Sequence, residues 1–109
     1  MKRELKEAWV NNLRSGQYDQ IHGQLRACGG YCCLGVLCET GIELGLPIKA
    51  EEFRNGAKDY NNCDSELDGC LLEILDMDED DAEECMEMND NRGYSFEQIA
   101  DWIEKNVKD

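Results

Sequence analysis

Apolar residues near the start of the chain recur every three or four positions, the spacing that places them on one face of a helix. Leu5, Trp9 and Leu13 carry this pattern, which predicts a first helix over about residues 2–15. Gly16 follows directly, and glycine is the residue that most readily adopts the left-handed conformation at a helix end.

Residues 31–38 are apolar at almost every position. A helix that is apolar all round is buried, so we expect a central helix at about 31–42. Gly45 and Pro47 mark its end. The segment before it, residues 17–30, is rich in Gly and Gln and predicts a loop or a short extended piece.

The last third of the chain contains three further helical patterns. The first is short, at residues 71–75, and the second covers residues 79–90. The inward side of that second helix is predicted to carry Ala82, Cys85, Met86 and Asn89. The last helix begins after Ser95, which forms a capping box with Gln98.

These patterns together predict the fold class. We expect a mainly α protein, a single domain over residues 1–109 with four or five helices packed around the helix at 31–42. The periodicity is poor between residues 46 and 68, where the sequence allows a short β-hairpin.

Composition restricts the cellular setting. Hydrophobic residues make up 41% of the 109 residues, enough for one compact core. The N-terminus has no apolar run of the kind found in secretory signals. No stretch reaches the roughly 20 apolar residues that span a bilayer. We therefore expect a soluble intracellular protein.

The charge is strongly negative and unevenly placed. The formal net charge is −14, and no Lys or Arg occurs between Lys58 and Arg92. Such a field repels nucleic acid and anionic lipid and attracts basic surfaces. We therefore expect neither direct nucleic-acid binding nor membrane binding, and we expect a basic protein as partner.

Two stretches resemble a known group of proteins. "GQYDQIHGQLRACGGYCCLGVLCETG" and "MNDNRGYSFEQIADWIEKN" are similar to small uncharacterised proteins of tailed bacteriophages and prophages. The shared features are a first helix with Trp and "LRSG", the motif "YCCLGVLC", and a final Ser-Phe-x-x-Ile-Ala-Asp helix. The resemblance covers both ends of the chain and brings no known activity. It implies a phage accessory protein that acts in the cytoplasm of the bacterial host.

The seven cysteines are candidates for a metal site. On a helix, Cys33 and Cys38 lie about 140° apart around the axis, at 100° per residue, so they cannot hold one ion together. Cys28 and Cys32 remain open as a zinc pair, with His22 or Cys63 as the further ligand.

Other roles for the cysteines are less favoured. The number of cysteines is odd, and disulfides are rare in reducing compartments. A nucleophilic thiol needs a lowered pKa and a nearby base, and His22 is the only histidine. A Cys28–His22 enzyme is therefore the least favoured hypothesis, and we expect no catalytic residues and no cofactor. Free cysteines pack as small hydrophobic residues, so core packing, helped by Gly35 and Gly41, is the preferred interpretation.

The segment that begins at Asp76 imitates a calcium loop, since acidic residues stand at positions one, three, five and twelve. An EF-hand needs glycine at position six, and Asp81 stands there. The same acidic residues suit the N-terminus of a helix, which is the interpretation that we prefer.

On a helical wheel, one sector of the acidic helix collects carboxylates. It consists of Asp76, Glu79, Asp80, Glu83, Glu87 and Asp90. Neighbours three or four positions apart repel by a few tenths of a kcal/mol per pair. One interpretation is a solvated surface. The other is a partner-binding surface that imitates the phosphates of DNA, spaced about 3.4 Å apart along each strand. Such a surface would occupy the basic groove of a host nuclease, polymerase or nucleoid protein.

A second hypothesis concerns the glycine-rich segment. Polar, aromatic and basic residues gather there, and they suit a small anionic ligand such as a nucleotide. The candidates are Arg14, Tyr18, Gln20, His22, Gln24, Arg26 and Tyr31.

Overall fold

The computed structural model describes residues 1–109 and contains five helices and five short strands. In chain order the elements are α1 (Arg3–Arg14), β1 (Asp19–Gln20), β2 (Arg26–Ala27), β3 (Gly30–Tyr31), α2 (Cys33–Glu43), β4 (Ala50–Glu52), β5 (Lys58–Tyr60), α3 (Gly69–Leu75), α4 (Glu79–Asp90) and α5 (Phe96–Asn106). The predicted mainly α class is confirmed. No helix combines the length and the apolar composition that a bilayer span requires.

Helix α2 lies at the centre of the core, as predicted from its apolar sequence. Eight of its eleven residues are buried. A Cβ atom on Gly35 would lie 1.9 Å from the carbonyl oxygen of Leu25, so only glycine lets that backbone cross the helix. The helix begins at Cys33, two residues later than predicted, because Tyr31 pairs in β3 and Cys32 is the N-cap.

The first helix, α1, packs against both α5 and α2. Trp9 of α1 is fully buried and its indole Nε1 donates to the carbonyl oxygen of Cys33 at 2.9 Å. The predicted capping box of α5 is present, with Ser95 and Gln98 exchanging hydrogen bonds. The α5 side that faces the core carries Phe96, Ile99, Ala100 and Ile103.

Residues 17–31 form a small sheet where a loop or one extended piece was predicted. β3 lies in the middle, parallel to β1 and antiparallel to β2. Each strand has only two residues, so the sheet depends on partners supplied by the rest of the fold. The hairpin expected within residues 46–68 is present as β4 and β5.

Helices α3 and α4 follow the hairpin. α3 begins at Gly69, two residues before the predicted start, because the Asp68 carboxylate accepts from the backbone N–H of Leu71 at 2.9 Å and caps the helix. α4 has the predicted bounds. Its inward side differs by one residue, since Met88 is buried and Met86 is only half-buried.

Candidate functional site

The buried side of α4 determines which of its carboxylates face solvent. Its buried residues are Ala82, Cys85, Met88 and Asn89, and they pack towards α2 and α5. The opposite side presents Glu79, Asp80, Glu83 and Glu87, all exposed. Four of the six predicted partner-binding residues therefore share one exposed helix surface, which we call the acidic face.

Asp76 does not belong to the acidic face, contrary to the helical-wheel prediction. It ends α3 in the left-handed conformation, with φ 51° and ψ 46°, so the helical register is broken before α4 begins. Its carboxylate is 79% exposed and lies 3.5 Å from the N-terminal ammonium of Met1.

Asp90 is also diverted from the predicted surface. Its carboxylate accepts from the backbone N–H of Gly23 at 3.0 Å and from the Asn89 amide at 2.8 Å. Asp90 therefore holds the β1–β2 connection against α4. On the acidic face itself, Glu87 accepts from Asn91 at 2.9 Å, whereas Glu79, Asp80 and Glu83 have no cationic partner in the structure.

The N-terminal end of α4 concentrates negative charge. Asp78 is the N-cap and accepts from the backbone N–H of Asp80 at 2.8 Å. Partial burial raises the pKa of Asp81, and the charges of Asp78 and Asp80 raise it further. Carboxylates in the first turn are favoured by the helix dipole, which offsets part of their mutual repulsion.

A groove of about 250 Å³ lies between the start of α3 and the acidic face. Its apolar floor consists of Leu67, Leu72, Ala82 and Met86. Its carboxylates are Glu66, Asp68, Glu79 and Glu83. The groove contains no Lys, Arg or His, so its field is wholly negative. We call it the α3–α4 groove.

The predicted small-ligand site is divided between separate places. Arg14 lies at the end of α1 and pairs with Asp101 at 2.6 Å and with Glu104, both on α5. Its guanidinium therefore contacts α5 and not the glycine-rich segment. Gln24 is exposed.

Gln20 and His22 both hydrogen-bond to Asn89 near the end of α4, although Gln20 is half-buried and His22 is exposed. Gln20 Nε2 donates to Asn89 Oδ1 at 2.9 Å and to the carbonyl oxygen of Tyr94 at 2.8 Å. His22 Nδ1 lies 2.6 Å from the carbonyl oxygen of Asn89. A carbonyl oxygen only accepts, so Nδ1 is the donor. These two residues fasten β1 to α4.

Asn89 is central to the contact between α4 and β1, although the sequence pattern predicted only that it faces inward. It is fully buried, and its side chain forms four hydrogen bonds. Oδ1 accepts from Gln20 Nε2 and from the Cys33 backbone N–H at 3.2 Å. Nδ2 donates to the Ile21 carbonyl oxygen at 2.9 Å and to Asp90 at 2.8 Å. An amide has no further capacity, so Asn89 ties α4 to β1 and to the start of α2.

Three of the predicted ligand residues do lie together. The rings of Tyr18 and Tyr31 are 5.1 Å apart at an interplanar angle of 82°, and Arg26 lies 5.4 Å from the Tyr31 ring. Arg26 Nη1 lies 3.0 Å from a Glu52 carboxylate oxygen, although neither it nor Nε forms a well-aligned hydrogen bond. Burial, followed by the hydrogen bond to Glu43, raises the pKa of Tyr18 to about 12. The Tyr18 hydroxyl and Arg26 Nη1 therefore each face a carboxylate of the protein, that of Glu43 and that of Glu52.

A neighbouring polar cluster was not predicted. The Glu39 carboxylate accepts from Lys58 Nζ at 2.7 Å and from Tyr60 Oη at 2.5 Å. Burial, followed by the hydrogen bond to Glu39, raises the pKa of the Tyr60 hydroxyl. The cluster fixes the hairpin to α2. The alternation of Lys58 and Tyr60 in a strand was its only sequence signal.

Four of the seven cysteines pack in the core, as the preferred interpretation has it, whereas Cys28 and Cys70 are exposed and Cys63 is half-buried. All seven are free, and Cys32, Cys33, Cys38 and Cys85 are buried. Burial raises the pKa of Cys32 to about 11 and raises that of Cys33 and Cys38 well above the usual thiol range. No three His, Cys, Asp or Glu side chains are grouped so that they could hold a metal ion. The proposed zinc set of Cys28 and Cys32 with His22 or Cys63 is therefore not assembled.

Comparison with known protein families gives a match over the first part of the chain. A family model described as a domain of unknown function, DUF8296, matches residues 1–68. Neither the curated proteins nor the solved structures contain a match. Because the matched segment is more than half of the 109 residues, the chain belongs to the DUF8296 family of domains of unknown function.

Proposed function

We propose that this protein binds a basic protein partner through the acidic face of α4 and thereby alters the activity of that partner. One observation carries the proposal. Glu79, Asp80 and Glu83 are exposed on one side of a helix, and none of them forms an ion pair with a Lys, an Arg or the N-terminal ammonium.

The acidic face contributes little to the stability of the protein. Glu79, Glu83 and Glu87 follow each other at intervals of four residues, so each pair repels by a few tenths of a kcal/mol. Partner Lys and Arg side chains would relieve that repulsion. The same field would also accelerate the encounter with a basic protein, an effect that salt weakens.

The acidic face resembles a nucleic-acid backbone only in the spacing of its negative charges. Four residues of helix rise about 6 Å, whereas two phosphate steps of one DNA strand rise about 6.8 Å. A groove that binds DNA phosphates with Lys and Arg is therefore a suitable target. This supports a nuclease, a polymerase or a nucleoid protein as partner, and the phage resemblance supports action in the bacterial host cytoplasm.

A charge-matched pair of variants tests the proposal. The first variant is Glu79→Gln, Asp80→Asn and Glu83→Gln. The control removes the same charge from exposed positions on α1 and β4, as Glu4→Gln, Glu7→Gln and Glu51→Gln. Both are used to capture proteins from bacterial lysate at low and high salt, and each captured protein is then purified and its affinity measured.

We expect a nucleic-acid-binding protein that the unmodified chain and the control bind and that the α4 variant does not. Its binding should weaken steeply with salt, and DNA should compete for it. Equal loss in both variants would show that net charge, and not the acidic face, is responsible. The absence of any captured partner at low salt would refute the proposal.

A further inference from the structure

We propose that the α3–α4 groove receives an apolar side chain from a short basic, amphipathic segment of the partner, while the acidic face pairs with the Lys and Arg residues of that segment. The inference rests on the proposed function and adds the kind of peptide segment that is recognised.

The floor of the groove is suited to an apolar anchor. Leu67 and Ala82 are almost fully buried, at 9% and 5% exposure. Leu72 and Met86 are half-buried against the core, so part of their apolar surface remains open. The groove volume of about 250 Å³ corresponds to about eight water molecules at about 30 Å³ each. An apolar side chain that displaced this water would gain contact with all four floor residues.

The negative charge of the groove indicates which residues accompany the apolar side chain in the partner segment. The groove carries four carboxylates and no basic residue, so an acidic or phosphorylated segment would be repelled. Lys and Arg suit such a rim, because their aliphatic stems cover apolar surface while their charged ends reach carboxylates.

The separation of the groove carboxylates favours a partner segment with several charges over a single bound cation. The carboxylates of the groove do not group closely enough for three of them to hold one metal ion. They are spread over α4 and the segment that leads into α3, so only a ligand with several separated charges can reach them together.

Helical register joins the groove to the acidic face. Met86 follows Glu83 by three positions and Glu79 by seven, and such spacings place side chains on neighbouring parts of one helix surface. A single helical segment that lies along α4 would therefore contact the apolar floor and the carboxylates at once.

Two synthetic peptides of identical composition test the inference. One carries Leu at every third or fourth position and Lys elsewhere, so that its helix is amphipathic, and the other has the same residues in scrambled order. Affinity is measured at one ionic strength. Methyl NMR spectra of the unmodified protein locate the contact without any substitution.

We expect the amphipathic peptide to bind about tenfold more tightly than the scrambled one, which corresponds to about 1.4 kcal/mol. It should shift the methyl signals of Leu72 and Met86. Met86→Gln should remove most of the difference. The matched control is Ile74→Gln, a half-buried apolar residue that lines a different groove with Leu44 and that should leave the difference intact.

The outcomes separate this inference from the proposed function. Equal affinities, or methyl shifts confined to other surfaces, would overturn the groove as the docking site. If Glu79→Gln, Asp80→Asn and Glu83→Gln still abolished partner binding in that case, the acidic face would bind the partner without the groove. If neither peptide bound at low salt, both proposals would fail.

Discussion

Asn89→Ala provides the most direct test of how the fold is held together. The substitution removes four hydrogen bonds and leaves the Cys33 N–H and the Ile21 carbonyl without their side-chain partner. A buried polar group that loses its partner costs about 1–3 kcal/mol. Ile21 is half-buried, so its cost lies at the low end, and we expect a total loss of about 3 kcal/mol. The whole free energy of unfolding is only about 5–15 kcal/mol.

Urea unfolding followed by circular dichroism measures this loss. The midpoint should fall strongly in Asn89→Ala with an unchanged slope. The control is Asn91→Ala, because Asn91 is exposed and donates only to Glu87 on the surface. Its effect should stay within about 0.5 kcal/mol. A loss below about 1 kcal/mol for Asn89→Ala would show that Asn89 does not couple α4 to β1 and α2.

Three further predictions follow from burial. In the native protein a maleimide should label Cys28 and Cys70 rapidly, while the four buried cysteines, Cys32, Cys33, Cys38 and Cys85, react only after unfolding; rapid labelling of a buried thiol would contradict the packing described. Stability should fall above the pKa of about 9.0 that Cys32 has when unfolded and go on falling to its folded pKa of about 11, because the unfolded chain loses the proton first. Cys32 alone accounts for about 2–3 kcal/mol, at about 1.4 kcal/mol per pKa unit, and a melting temperature that is constant over this pH range would contradict it. A fragment of residues 1–68 should show no cooperative thermal transition. In the fragment α1 would lose its packing against α5, and the Cys33 backbone N–H would lose its hydrogen bond to Asn89. A cooperative transition in the fragment would refute this prediction.

Helices were predictable from the sequence where local chemistry decides them. The bounds of α4 and the capping box of α5 depend on residues within one or two turns, and both were correct. The small sheet of β1, β2 and β3 was missed because two-residue strands have no periodicity to detect. The burial of Met88 was missed because Met86 and Met88 flank the sector of Ala82, Cys85 and Asn89 on opposite sides, at 100° per residue. The helical wheel alone does not show which flank packs against the core.

The candidate site was predictable only in part, because local helical register can be read from the sequence and contacts between distant segments cannot. Exposure of Glu79 and Glu83 follows from helical register. The diversion of Asp90 to Gly23, and of Gln20 to Asn89, depends on a contact between segments nearly 70 residues apart. No local pattern indicates such a contact, so Asp90 and Gln20, which were expected to bind a partner or a ligand, instead hydrogen-bond within the protein.

Helix α4 supports the fold on one side and carries the proposed binding surface on the other. The family match ends at residue 68, yet Asn89 lies beyond it and binds the backbone of residues 21 and 33 inside it. The inward side of α4 is therefore constrained by the fold of the matched segment, whereas nothing in the fold requires carboxylates at Glu79, Asp80 and Glu83. These three side chains make no ion pair, and the helix dipole favours Glu79 and Asp80 in the first turn of α4 while their mutual repulsion opposes it. Neutralising them should therefore change the free energy of unfolding by less than about 1 kcal/mol while it abolishes binding. Loss of binding with nearly unchanged stability is the result that a role in folding cannot produce.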